Sequence, residues 1–522
     1  MSAQDRHRTP QFRDVVAPTV RRMLSRVTCF ALDGLRPRRV TVEVDLRTGL
    51  PALTIVGRAD AAVRESRERV HSALLNSGFQ FPQRRITVNL APAQLRKQGP
   101  GFDLATACGI LAASGQIPAD RLPAWAVFGE LSLGGELRPC GGALAAAEGA
   151  RAAGLSGIVV PWECAPEAAL VQGLEVAAAR TLADVAALLR GAPAQCPAPR
   201  AAATRHRPEI AIDLSDVRGH RGGIRALEIA AAGGHNVLLS GPPGTGKTML
   251  ARRLPTILPP LGPAEALEVT RIQSIAGLRV GAGLIEAPPF RAPHHTISAS
   301  GLVGGGTGPT PGEATLAHRG VLFLDELSEF SRPALEALRQ PLEDGHVTIV
   351  RGQTAARFPT RVMLAAATNP CPCGEGGAAC RCTAADLTRH QRRLSGPLLD
   401  RLDLLVAVHR PSAAELAAPG VTDSATVRAR VDAARTRQRE LRGTLNAGAA
   451  ASELARLLRP GAAALLREVY ERGRLSARGH ARALRVACTI ADLEQAERIT
   501  IDHVLEALGL RQHQDDTASV AA

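Results

Sequence analysis

Apolar residues recur at different periods along this chain. They alternate one on, one off from Arg39 to Asp45 and again from Arg85 to Leu90, which predicts half-buried strands. Ala61 to Ser77 carries its apolar residues at helical spacing, and Ala105 to Ser114 reads as an apolar helix. The first part of the chain is therefore expected to be an α+β module. In the middle, short apolar runs replace the alternation: Asn236-Val-Leu-Leu-Ser240, Gly320-Val-Leu-Phe-Leu324 and Val362-Met-Leu-Ala-Ala-Ala-Thr368. Their length and bounding residues predict buried strands. A helical pattern from Met249 to Leu254 follows the first of them. After Arg410 the spacing is nearly all helical, with segments at Ser424 to Leu441, Gly461 to Arg472, Ala477 to Glu497 and Ile501 to Leu508.

At 522 residues the chain is too long for one compact core. A Pro/Ala-rich stretch without periodicity marks a boundary at 192–208. The expected division is a disordered basic tail or mis-assigned start at 1–22, a module at 23–191, the linker, an α/β core at 209–410, a helical domain at 411–511 and a frayed tail at 512–522.

Of the 63 basic residues only Lys97 and Lys247 are lysine, and the formal charge is +14. That balance favours a polyanionic partner, nucleic acid before an acidic membrane surface, because arginine–phosphate contacts release counterions whatever the sequence. One Tyr, two Trp and ten Phe leave little material for stacking bases, so the grip is expected on phosphates. No apolar run is long enough to span a membrane, and the first 22 residues lack an apolar signal stretch, so a cytoplasmic protein is expected. Six cysteines are scattered singly (Cys29, Cys108, Cys140, Cys164, Cys196, Cys488) and read as small core residues.

Lys247 lies in Gly241-Pro-Pro-Gly-Thr-Gly-Lys-Thr248, a phosphate-cradling loop between a strand and a helix. Gly241, Pro242, Pro243, Gly244, Thr245, Gly246, Lys247 and Thr248 are the candidate nucleotide contacts. The compact ammonium reaches between β- and γ-phosphates where a planar guanidinium does not fit. The strand Gly320 to Leu324 ends in Asp325-Glu326. Asp325 with the Thr248 hydroxyl is the expected Mg²⁺ site, and Glu326 is expected to polarise the attacking water. Asn369, at the tip of the third strand, is the candidate for orienting that water. Arg401, in Ser395-Gly-Pro-Leu-Leu-Asp-Arg-Leu-Asp403, suits a γ-phosphate contact in a neighbouring subunit, against an internal pair with Asp400 or Asp403. Arg478, opening an amphipathic helix after Ser476, is the candidate lid sensor folding over the nucleotide, with Arg482 one turn on as its substitute.

Cys371-x-Cys373 and Cys380-x-Cys382 bring four thiols within twelve residues directly after Asn369. They fit a structural Zn²⁺ knuckle, or else unliganded or redox-sensitive thiols; four sulfur ligands would leave no open position for zinc catalysis.

Taken together, these segments resemble an AAA+ ATPase. Pro289-Phe-Arg-Ala-Pro-His-His-Thr296, Leu302-Val-Gly-Gly-Gly306 and Asn369-Pro-Cys-Pro-Cys-Gly374 narrow the resemblance to the magnesium-chelatase-like ComM (YifB) group, over about Met23 to Arg511. The resemblance implies ATP and Mg²⁺ as cofactors, a homo-oligomeric ring, usually a hexamer, and DNA as partner, with branch migration of recombination intermediates during natural transformation. A chelatase-type or chaperone-type ATPase remodelling a protein partner is the alternative it leaves. It places Phe290 to Gly306 and a hairpin from Gly345 to Arg361, carrying Arg351, Arg357 and Arg361, toward the ring's pore. His294 and His295 are expected to hold the loop base structurally. Phe128-Gly-Glu-Leu-Ser-Leu-Gly-Gly-Glu-Leu-Arg-Pro139 makes the first module resemble the Lon-protease-like, ribosomal-S5-type fold, with the C-terminal helices as the ATPase lid domain. Gly99-Pro-Gly-Phe-Asp103 and Leu144 stand where that protease has serine and lysine, so no peptidase activity is expected. Lys97 is expected to be solvated or to face DNA.

Overall fold

The computed structural model describes residues 23–57, 60–97, 99–196, 212–278, 283–306, 310–351, 354–393, 396–420 and 422–511. The expectations for 1–22, for 512–522 and for the linker from residue 197 onward lie outside the described residues.

The first sheet is built from β1 (Leu24–Asp33), β2 (Arg36–Arg47), β3 (Ala52–Val56), β4 (Arg85–Ala91), β5 (Trp125–Val127), β6 (Gly157–Pro161) and β7 (Glu175–Ala179). Its order is β3-β4-β2-β1-β5-β6-β7, antiparallel between β4, β2 and β1 and parallel elsewhere. Helices α1 (Ala61–Asn76), α2 (Asp103–Ala113), α3 (Ala143–Ala152) and α4 (Leu182–Leu189) pack on it. The alternation in β2 is the reason for its orientation, since Val40, Val42, Val44 and Leu46 are buried while Thr41, Glu43 and Asp45 are not. Helix α2 is buried from Asp103 to Leu111, so no polar face interrupts its apolar pattern.

The second sheet carries the signature loops. Chain order gives α5 (Arg221–Gly233), β8 (Val237–Ser240), α6 (Lys247–Ile257), α7 (Pro263–Ile275), β9 (Phe290–Arg291), α8 (Ala299–Val303) and β10 (Val321–Leu324). The hairpin β11 (His346–Arg351) with β12 (Thr354–Pro359) follows, then β13 (Met363–Thr368), α9 (Ala384–Arg393) and β14 (Leu404–Ala407). The sheet is all parallel in the order β9-β10-β13-β8-β14, with β8 between β13 and β14. β8, β10, β13 and β14 are buried on both faces, which is why they read as unbroken apolar runs. Val237, Leu239, Phe323, Ala365 and Val406 face the layer of α5 and α6, whereas Leu238, Leu322, Leu324, Leu364 and Leu405 face the layer containing Leu335 and Leu338.

Four longer helices close the chain: α10 (Ser424–Arg442), α11 (Pro460–Glu471), α12 (Ala477–Leu493) and α13 (Ile501–Gly509). The third ends four residues earlier than its apolar pattern predicts, because Gln495 takes a left-handed φ of 57° and turns the chain. Val431, Leu484, Ile490 and Val504 join the core of the second sheet.

Two joints connect the sheets. Arg271 on α7 pairs with Glu148 on α3 at 2.6 Å, and Ser274 accepts the Gly142 N–H at 3.0 Å while its own hydroxyl donates to buried Glu167. The hairpin turns Val347, Ile349, Ala356 and Phe358 inward against Leu35, in the turn between β1 and β2, and against Val303. The same alternation leaves Thr348, Val350, Ala355 and Arg357 exposed.

Candidate nucleotide site

The phosphate loop occupies the turn between β8 and α6. Gly244 and Gly246 take left-handed φ values of 74° and 86°, and Gly246 caps the helix. Gly241 is needed for close approach: a Cβ there would lie 2.1 Å from the Val408 carbonyl oxygen just past β14. Lys247 folds back into the loop, its Nζ donating to the Gly241 and Pro242 carbonyls at 2.6 and 2.8 Å and to Asn369 Oδ1 at 3.0 Å. Burial lowers its pKa, opposed by the charges of Asp325 and Glu326. The lysine is thus gathered by three oxygens at the helix N-terminus, where an anion is also favoured.

Parallel pairing of β13 with β8, and of β10 with β13, carries Asn369 and Asp325 to this loop. Thr248 Oγ1 donates to Asp325 Oδ2 at 2.8 Å, joining the hydroxyl and carboxylate that the sequence assigns to Mg²⁺. Glu326 has a left-handed backbone, φ 52°, and its side chain is half exposed. Its carboxylate lies 3.4 Å from His295 Nδ1. His294 does what was expected of both histidines, joining the Thr296 hydroxyl at 2.9 Å, but His295 reaches the acidic strand end instead. Lys247, Thr248, Asp325, Glu326 and Asn369 therefore converge on one face.

Arg401, Arg478 and Arg482 do not join them. The Asp403 N–H and the Asn236 side chain tie this segment to the start of β8, and the P-loop leaves the strand's other end, about 13 Å away by strand rise. Arg401 pairs with Glu343, and its side chain is mostly buried. Asp403 is taken by Arg482 at 2.6 Å; although burial raises its pKa, His235, Arg482 and the Asn236 N–H hold it below the usual value. Arg478 is exposed and lies 3.6 Å from Asp400, so it stands next to Arg401 and not over the chain's own P-loop as a folded lid would require.

The four clustered thiols converge. Cys371 and Cys373 sulfurs are 3.2 Å apart, Cys371 and Cys380 3.6 Å, Cys373 and Cys380 3.8 Å, and all four lie within 4.8 Å of one another. A tetrahedral thiolate zinc, with Zn–S of about 2.3 Å, sets its sulfurs about 3.8 Å apart. The donor set fits that ion. Within the cluster the backbone amides of Arg381 and Glu375 pull the Cys373 thiol down to about 6, while burial raises Cys371 and, against the pull of the Cys373 N–H, burial and the neighbouring thiols raise Cys382.

Some positions differ from their sequence reading. Lys97 is fully buried and not solvated: its Nζ donates to the Pro92 carbonyl, and its own carbonyl accepts the Asp60 N–H at 3.1 Å, folding the loop inward. Burial lowers its pKa. Cys196 is exposed, unlike the other five isolated cysteines. Sequence reasoning missed His220, whose ring flanks Gly246 of the P-loop, and Asn236, whose Oδ1 accepts the Leu364 N–H of β13 at 2.8 Å while its Nδ2 donates to the Arg401 carbonyl at 2.9 Å. Neither sits in a motif; the only signal for Asn236 is a polar residue opening an apolar run.

A P-loop on a strand of a parallel sheet, with an acidic strand end and a polar strand tip beside it and helices following, defines an AAA+ ATPase of the magnesium-chelatase type. The family description "Magnesium chelatase, subunit ChlI" matches residues 213–416, "Subunit ChlI of Mg-chelatase" 42–164, and "Magnesium chelatase, subunit ChlI C-terminal" 421–511. The chain belongs to the YifB/ComM family of magnesium-chelatase-like proteins, whose membership implies ATP and Mg²⁺. It is 45% identical over 498 residues to an uncharacterised protein of Mycobacterium tuberculosis, covering 94% of this chain and 99% of that one. Protein YifB of Escherichia coli is 44% identical over 495 residues (94% and 97%), and competence protein ComM of Haemophilus influenzae 42% over 486 (92% and 95%). Among the described residues no helix is long and apolar enough to cross a membrane.

Proposed function

We propose that this chain is the subunit of an ATP-hydrolysing ring, a hexamer, that moves DNA independently of sequence, as a branch-migration helicase for transforming DNA does. The observation that carries the ATPase part is the pair of contacts Lys247–Asn369 and Thr248–Asp325, which join three strand ends around one phosphate-sized loop. ATP supplies the transferable γ-phosphoryl group, and Mg²⁺ neutralises its charge. Lys247 and the amides of Gly244 to Thr248 hold the phosphates, Thr248 and Asp325 hold the ion, Glu326 polarises water and Asn369 orients it. Arg401 and Arg478 share the opposite end of the strands from the P-loop, an arrangement that supports both acting on the nucleotide of a neighbouring subunit. The DNA part is supported by the net charge of +14 and by the exposed hairpin face bearing Arg357.

ATP turnover measured without DNA and with linear or branched DNA tests this reading. Turnover stimulated by DNA is expected. Lys247→Ala should abolish nucleotide binding, and Glu326→Gln should keep it while lowering kcat by roughly 10²–10³. Turnover indifferent to every nucleic acid would transfer the assignment to a protein substrate.

A further inference from the structure

The segment from Cys371 to Cys382 reads Cys-Pro-Cys-Gly-Glu-Gly-Gly-Ala-Ala-Cys-Arg-Cys. It holds no large apolar residue, so it has nothing from which to build a core. Cys371 is buried but Cys373 is exposed and Cys380 and Cys382 are partly so, which is not how packing cysteines sit. Yet the four sulfurs converge, and the Cys373 N–H points at the Cys382 sulfur at 3.3 Å.

Both ends of this segment are fastened to the phosphate site. Cys371 follows Asn369 by two residues, and Asn369 Oδ1 receives Lys247 Nζ. On the far side, Thr383 and Asp386 cap the start of α9, and that helix returns His390, whose Nε2 lies 3.1 Å from the Asn369 carbonyl oxygen. The chain thus leaves Asn369, loops through four thiols and comes back to it. At the middle, Gly374 takes φ 87° and donates its N–H to the Cys371 carbonyl at 3.0 Å. It faces Pro243 of the P-loop so closely that a Cβ would stand 2.8 Å from the ring's Cδ and Cγ.

We propose that Cys371, Cys373, Cys380 and Cys382 bind one Zn²⁺, and that this knuckle is a brace setting Asn369 and Pro243 for nucleotide binding. The inference rests on the nucleotide reading above, and it makes these cysteines and Gly374 positioning residues, not catalytic ones. Each cysteine releases its thiol proton to solvent on binding the metal, and the ion's tetrahedral demand replaces the missing apolar core. Four thiolates close the coordination shell, so the metal serves geometry alone.

The test combines metal analysis, thermal melting and ATP binding on the full chain. Purified protein should carry about one zinc per chain. Cys380→Ser with Cys382→Ser should lose the zinc, and the ATP affinity should fall with it. Gly374→Ala keeps all four thiols, but alanine is strained at the left-handed φ of 87° and its Cβ meets Pro243, so ATP affinity read beside zinc content tests the brace. The Cβ should push Pro243 and weaken ATP binding by about tenfold, the size of a modest overpacking strain. Iron, a disulfide or no metal in the purified protein would overturn the zinc site. Zinc retained with unchanged ATP affinity in Gly374→Ala would overturn the brace. A wild-type chain that carries zinc but fails to bind ATP would instead sink the nucleotide reading, which distinguishes the two failures.

Discussion

His318 shows how a single side chain outside any motif is committed by its surroundings. Its Nδ1 accepts the Arg361 N–H at 3.0 Å, which leaves the proton on Nε2, directed at Glu268 at 3.2 Å. Burial pushes its pKa down to about 4, with Arg319 and Arg361 adding to the effect and Glu268 opposing it. The unfolded chain, with an ordinary imidazole, therefore takes up a proton between about pH 6.5 and 4 that the folded chain refuses, and stability is lost as pH falls through that window. The full effect is on the order of 3 kcal/mol. Urea midpoints at pH 7.5, 6 and 5 should fall more steeply for the wild type than for His318→Gln; parallel slopes would show that another group titrates. That Lys247, Thr248 and Asp325 belong to motifs was legible at this scale, because each motif puts one residue type at one spacing, and the structure brings the three together at the loop. His220, Asn236 and His318 were not, since their partners lie far away in sequence. Lys97 was misread for the same reason: nothing local tells a lysine in a polar loop that the loop folds inward.

Period was the reliable signal at the scale of elements. Continuous apolar runs did become strands buried on both faces, and alternation did become strands with one buried face. Helix ends were less legible, as at Leu493, because a left-handed residue leaves no periodic trace. The hairpin makes a prediction of its own. Its inward residues Val347, Ile349, Ala356 and Phe358 hold it in place, so its outward face can change charge without loss of fold. Arg357→Glu should weaken DNA binding by roughly tenfold and reduce the salt slope of binding by about one phosphate contact, leaving DNA-free ATP turnover unchanged. Equal DNA affinity and salt slope in mutant and wild type would remove the hairpin from the DNA path.

For the whole molecule, the informative feature is the separation of Arg401 and Arg478 from the P-loop by the length of a strand. A site completed by a neighbour should be repairable by mixing. Arg401→Ala is expected to bind ATP but lose roughly 10³-fold in kcat, and Lys247→Ala to lose binding. In the proposed ring, mixed assemblies would contain seams pairing an intact P-loop with an intact Arg401, so mixing the two inactive variants should restore turnover. No recovery would make Arg401 a structural residue, as its pair with Glu343 suggests. The first sheet is coupled to this machinery through Ser274. Ser274→Val would leave the Gly142 N–H and the Glu167 carboxylate without this partner, lowering stability by about 1–3 kcal/mol, measurable as a drop in the melting midpoint.

By itself the sequence determined which segments are strands and helices, the P-loop and acidic strand end, and the close spacing of the four clustered cysteines, because these depend on local period, local backbone freedom and short spacing. The tertiary structure decided which strand tips meet, that Asn369 receives Lys247, that Gly374 presses on the P-loop, and that the two arginines face away from their own site. Those facts follow from parallel strand order and long-range burial, which no local pattern encodes.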